Sequence, residues 1–196
     1  MTAQQGAADR KEYIMKRITA ILLTLALLLL CTGCAGGAKE LTLSDKRDAD
    51  SLEALFVQDG KFGLSGLEWG ISRSEAEKTL GFTFEDVALP EETEGITFAA
   101  HPARFLGLSG TMRLAFSDDR LYTVQLIVDK GDLTKQFDAL REDLFTAFGE
   151  TENRYNMDED PDAVMYIWRR EPTLLGLYFF PESGQITLII GTTKIE

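Results

Sequence analysis

The feature that most limits the possible folds is a change of hydrophobic period in the last third of the chain. Leu133, Phe137, Leu140, Leu144 and Phe148 recur at spacings of four, three, four and four, which stacks all five on one side of a helix. Asp132 stands where an N-cap belongs and Gly149 where a helix stops. Beyond Gly149 the apolar residues alternate, over 164–168, 174–180 and 185–190, as strands with two unlike faces do. A striped helix needs an apolar sheet face to cover, so the pattern implies a two-layer α+β arrangement.

The same order occurs upstream in shorter form. Ser72 and Glu75 are spaced as a capping box, with Ile71 and Ala76 as its apolar staple. The short helix ends at Leu80-Gly81, and Gly81 is able to take the left-handed position after a helix. Alternating runs follow at 111–116 and 122–128. Gly81 and Gly149 lie 68 residues apart, and the last hairpins of the two halves are offset by 63–64. These offsets predict two tandem repeats, 51–131 and 132–196, each a helix packed on an antiparallel β-meander.

Because side chains alternate along a strand, the parity of each loop decides which residues share a face. An odd connection, Asp118-Asp119-Arg120, places Met112, Leu114 and Phe116 with Tyr122, Val124 and Leu126, and leaves Thr111, Arg113, Thr123 and Gln125 on a wet face. A four-residue turn at Pro181-Glu182-Ser183-Gly184 aligns Leu175, Leu177 and Phe179 with Ile186, Leu188 and Ile190 beneath the helix. Tyr178, Phe180 and Ile189 then point the other way. With Glu171-Pro172-Thr173 as the preceding turn, Tyr166 and Trp168 join them. Tyr166, Trp168, Tyr178 and Phe180 are therefore the candidate partner-binding residues, since an exposed aromatic patch marks an interface. The alternatives are that these rings pack on the first repeat, on the loop over 150–161, or in the core under another register.

Near the N-terminus, Met15-Lys16-Arg17 precedes an apolar run from Ile18 to Cys31, followed by Thr32-Gly33-Cys34. As a helix that run spans about 21 Å, short of the roughly 30 Å of a bilayer core. A basic start, an apolar middle and a small-residue exit describe a signal peptide beginning at Met15. An uncleaved anchor and a plain secretory signal are the alternatives, and all three place the rest of the chain outside the cytoplasm.

The ending Leu30-Cys31-Thr32-Gly33-Cys34 resembles the lipobox of bacterial lipoproteins, with Cys31 standing where that family usually has Leu. The resemblance implies a leader over 1–33, a lipid on Cys34, a flexible tether over 34–50 and attachment to the cell membrane through acyl chains. Two such chains hold stably where one holds marginally. Trp69-Gly70-Ile71-Ser72 through Leu80-Gly81 resembles the opening of small bacterial lipoproteins of the barrel-assembly E-subunit type and of the tandem-repeat β-lactamase inhibitor proteins. That second resemblance implies a fold and a habit of binding other proteins.

Motifs for chemistry are scarce. The formal charge of −12 opposes a nucleic-acid partner, which takes clusters of Lys and Arg. Gly63-Leu64-Ser65-Gly66 and Gly107-Leu108-Ser109-Gly110 lack the spacing of a nucleophile elbow and read as strand ends or bends. His101 is the single histidine, so neither a Ser/His site nor a histidine-rich metal site is indicated. Glu91-Glu92, Asp118-Asp119 and Glu142-Asp143 are paired acids without a recognisable direction. The acids from Asn156 to Asp162 start like a calcium loop, but Ala163 and Arg169 stand where Gly and Glu are needed. No phosphate-binding motif occurs. The expectation is a membrane-tethered binding module with a protein or other ligand as partner, without catalysis, cofactor or metal. The rivals are an envelope-assembly subunit and a hydrolase that uses carboxylates.

Overall fold

The computed structural model describes residues 40–88, 95–152, 163–181 and 184–194. The chain divides into two compact units, and residues 37–87 with 93–196 hold every element below. Residues 1–36 with 88–92 form the other, of which Ala88 alone lies among the described residues.

The architecture is mixed α and β, with three helices and a large, mostly antiparallel sheet. In chain order the elements are β1 (Leu41–Thr42), α1 (Ala49–Phe56), β2 (Val57–Gln58), β3 (Lys61–Phe62), α2 (Arg73–Leu80), β4 (Glu85–Asp86), β5 (Ile96–Phe105), β6 (Leu108–Ser117), β7 (Arg120–Val128), α3 (Leu133–Phe148), β8 (Val164–Arg170), β9 (Thr173–Phe180) and β10 (Gln185–Thr192). The main sheet has eight strands and runs β1-β5-β6-β7-β10-β9-β8, with β4 sharing the free edge of β5 beside β1. The two three-stranded meanders, β5–β7 and β8–β10, meet where β7 pairs antiparallel with β10, so residues on both sides of position 131 share one sheet. β2 and β3 form a separate small hairpin.

α2 and α3 form where the spacing of apolar and capping residues places them. Ser72 accepts from Glu75 N–H while Glu75 accepts from Ser72 N–H at 2.9 Å, closing the box, and Gly81 ends α2 in the left-handed region at φ 74°. Those bonds to Ser72 hold the Glu75 carboxyl below its ordinary range. Removing the Ser72 hydroxyl frees an N–H at the first turn, so Ser72→Ala is expected to cost about 1 kcal/mol by urea unfolding. Asp132 caps α3 by accepting from Lys135 N–H at 3.2 Å, and Phe137, Leu140 and Leu144 are its buried stripe.

α1 was not expected, and it changes the N-terminal boundary. The tether expected over 34–50 is corrected from Leu41 onward: Leu41 is 5% exposed beside Ala103, and Leu43 N–H donates to Arg104 O at 2.8 Å. Arg47 Nε donates to Leu106 O at 2.6 Å, and Asp48 caps α1 by accepting from Ser51 N–H at 3.0 Å. The small polar composition there conceals two alternating leucines and a cap ahead of Leu52, Leu55 and Phe56, all three buried.

Parity then settles the sheet faces. Asp118 and Asp119 form a two-residue turn, both at positive φ, with Ser117 opposite Arg120. An even turn alone would set Met112 out of step with Val124, but a bulge between Ala115 and Phe116 restores the step. Met112 faces Leu126, Leu114 faces Val124, and Leu121 rather than Tyr122 faces Phe116. Leu175, Leu177 and Phe179 oppose Ile190, Leu188 and Ile186, as the four-residue turn required. Every buried side chain of the sheet that joins the hydrophobic core lies on the helix-covered side, among them Met112, Leu114, Val124, Leu126, Ile186, Leu188 and Leu175.

Candidate functional site

The four aromatic candidates do not share a face. The connection from β8 to β9 is two residues long, Glu171-Pro172, with Arg170 opposite Thr173. Expecting three residues there shifted β8 by one position, and a one-residue shift exchanges the two faces. Tyr166 and Trp168 are accordingly corrected to the helix side, opposite Leu177 and Leu175. Trp168 is 6% exposed, its ring meets Phe145 and Phe148 edge-on with centroids 6.0 and 6.4 Å away, and its Nε1 donates to Gly149 O at 2.7 Å. Tyr166 stands edge-on to Phe145 at 5.2 Å and parallel to Phe137 at 6.3 Å. Tyr178 and Phe180 remain on the outer face, their rings nearly parallel at 6.4 Å.

The outer face is ordered in rows by the strand register. One row runs Ala100, Arg113, Gln125, Ile189, Gly176 and Ile167 from β5 across to β8. The next runs Pro102, Thr111, Ile127, Thr187, Tyr178 and Met165. The Tyr178 ring leans over Gly176, where a Cβ would lie 2.4 Å from its Cε2. Ile127 and Tyr178 are buried, at 5% and 9% exposed, without belonging to the core on the other side. Burial pushes the Tyr178 phenol up to about 12, partly offset by Arg169, and raises that of Tyr122 as well.

Two polar residues at the centre of this face lack partners. Gln125, expected to be wet, is 3% exposed, and its Oε1 has neither solvent nor a donor. Directly opposite on β6, Arg113 is half-buried, its Nε shielded from solvent and without an acceptor. Arg113 makes no hydrogen bond or ion pair among the described residues, whereas Arg47, Arg73, Arg104, Arg141 and Arg170 each meet a carboxylate. Desolvation lowers the affinity of the Arg113 guanidinium for its proton. The sequence signal was present in part: an arginine between Met112 and Leu114 on a strand flanked by other strands is enclosed on both edges.

Other places in the fold hold less. A shallow hollow beside the end of α2 is lined by Ser74, Glu77, Lys78, Gly81, Phe82 and Thr83. The His101 ring packs by Phe82 and Phe84, with centroids 4.9 and 5.5 Å away, and its Nδ1 lies 3.0 Å from Thr83 O. Asp118-Asp119 is a turn, and Asp143 of the Glu142-Asp143 pair meets Arg47 at 3.6 Å. Among the described residues no group of three His, Cys, Asp or Glu side chains is placed to hold a metal ion. Cys34, Glu91-Glu92 and the acids from Asn156 to Asp162 lie outside the described residues. No family model, curated protein or solved structure matches the chain.

Proposed function

We propose that the chain is a non-catalytic binding module, held outside the cytoplasm on a cell membrane by a lipid on Cys34, and that the outer face of its sheet receives a protein partner. The observation that carries the reading is the division of the sheet: helices and core occupy one side, while Arg113, Ile189 and Ile167 lie in register on the other, partly exposed, beside the buried Gln125 and Tyr178. Tyr and Arg are common anchors of protein interfaces. The charge of −12 favours a protein partner over a polyanion.

The mirrored order β5-β6-β7-β10-β9-β8, with α2 ahead of one meander and α3 ahead of the other, supports a tandem duplication of a helix-and-meander unit. It is also in keeping with the resemblance to tandem-repeat inhibitor proteins, which bind through their surfaces. Lipidation at Cys34 rests on Leu30-Cys31-Thr32-Gly33-Cys34. Six residues, Ala35 to Glu40, separate that cysteine from Leu41. Fully extended, they reach about 24 Å, so the β1 edge of the sheet stays within that distance of the headgroups.

Attachment is tested by labelling cells that express the full chain with a clickable fatty-acid analogue. One labelled product is expected from the wild type and none from Cys34→Ala. Label retained by Cys34→Ala, or absent from the wild type, overturns the anchor.

A further inference from the structure

We propose that residues 41–47 act as a releasable strap that sets how far the domain reaches from its membrane anchor. The inference deepens the binding-module reading above and rests on its anchor at Cys34. β1 is two residues long and lies at the edge of the sheet, paired parallel with Ala103 and Arg104. A few groups complete the hold. Leu43 N–H donates to Arg104 O at 2.8 Å, Leu106 N–H to Ser44 O at 2.6 Å and Arg47 Nε to Leu106 O at 2.6 Å, and Leu41 supplies the buried side chain. Two ion pairs, Arg104 with Asp45 at 3.2 Å and Arg47 with Asp143 at 3.6 Å, add little because all four partners reach solvent.

The strap grips a strained turn. Leu106 and Gly107 connect β5 to β6, both in the left-handed region, and a leucine at φ 50° is there at a cost that its surroundings must offset. Strap atoms bind both backbone polar groups of Leu106, its N–H and its carbonyl. Lifting the strap opens both to water and allows the turn to relax, which offsets part of the cost of opening. The opening also stops at a natural hinge: α1 keeps its own cap at Asp48, and β5 keeps its full ladder to β6. An edge segment held by so few bonds opens locally, well below the free energy of global unfolding. Its consequence is a length. Seven residue steps from Cys34 to Leu41 reach about 24 Å, and fourteen from Cys34 to Asp48 about 49 Å. A partner held beyond the shorter limit is met only with the strap lifted.

The test is amide hydrogen exchange, read by NMR on the full chain in detergent micelles. The Leu43 amide of the strap and the Leu106 amide of the turn are expected to exchange at one shared opening rate, at least about a hundredfold faster than the amides of the central strands β6 and β7. Arg47→Ala should speed Leu43 and Leu106 together by about tenfold and leave β6 and β7 unchanged, since it removes one hydrogen bond and one exposed ion pair. Exchange of Leu43 and Leu106 at the rate of the central strands overturns the strap. So does acceleration of one of them without the other, or of every amide alike in Arg47→Ala, which would make Arg47 a support of the whole fold. Exchange reads the strap whether or not Cys34 is acylated, and the fatty-acid label reads the anchor alone, so the two fail separately. A strap that opens in a chain whose Cys34 takes no label overturns its role in reach.

Discussion

Trp168→Ala is expected to lower the unfolding free energy by about 4 kcal/mol and Tm by roughly 10 °C, the range of large aromatic truncations in a core. The ring is 6% exposed and wedged against Phe145 and Phe148 of α3, with Leu175 opposite it on β9. Truncation leaves a cavity between helix and sheet that the neighbouring strand β9, held by ladders to both β8 and β10, cannot close. The Nε1 bond to Gly149 O adds little to the loss, since Gly149 is exposed and water replaces the donor. Trp168→Phe therefore recovers much of the stability. Tyr178→Phe on the opposite face should fall within about 0.5 kcal/mol of wild type, because the hydroxyl makes no hydrogen bond among the described residues. Urea denaturation followed by far-UV circular dichroism measures all three. A Trp168→Ala loss below about 1 kcal/mol would return the ring to the outer face.

That contrast marks what the amino-acid order made legible and where it failed. Helices α2 and α3 were readable to within a residue because caps and periodicity agree at both ends: Ser72 with Glu75 and Gly81 for α2, Asp132 and Gly149 for α3. The pairing of Leu175, Leu177 and Phe179 with Ile190, Leu188 and Ile186 was readable because the four-residue turn was counted correctly. The faces of Tyr166 and Trp168 were not, because side-chain alternation carries no record of loop length. One residue assigned to the wrong side of Pro172 inverted a whole strand. At Asp118-Asp119 the count was wrong too, but the bulge at Ala115 and Phe116 compensated and five of six face assignments survived, with Leu121 in the place of Tyr122. α1 was missed for a different reason: Leu52, Leu55 and Phe56 make too short a stripe to stand out, and the helix owes its stability to packing on α3. The candidate site was legible only as a list of polar residues at 111, 113, 123 and 125. That Gln125 and the Arg113 Nε are dry depends on which strands flank them, and the pairing of β7 with β10 joins segments about sixty residues apart in the chain.

Gly110→Ala should be the most damaging single substitution of a glycine in the described residues, costing more than about 4 kcal/mol, a loss reserved for a few severe mechanisms. Gly110 belongs to Gly107-Leu108-Ser109-Gly110, whose glycines invite comparison with a nucleophile elbow, yet its role is steric. A Cβ there would lie 2.0 Å from Ile127 O and 3.0 Å from Ile127 C. Both atoms are backbone of β7, so no rotamer change relieves the clash, and the Thr111–Ile127 pairing beside it must open. Two other glycines provide the scale. At Gly176 the added carbon would meet the Tyr178 ring at 2.4 Å, a side chain able to swing away. At Gly191 the nearest atoms, Thr123 Oγ1 and Tyr122 O, lie at an ordinary 3.5 Å. Loss of stability should therefore rise from Gly191→Ala through Gly176→Ala to Gly110→Ala, read as urea midpoints of the three variants. Since all three glycines sit in strands at unexceptional φ, backbone freedom cannot produce that order, and only the hardness of what each methyl would strike can. A Gly110→Ala protein as stable as Gly191→Ala would mean that β6 and β7 do not approach this closely, and the register that places Arg113 opposite Gln125 would fall with it.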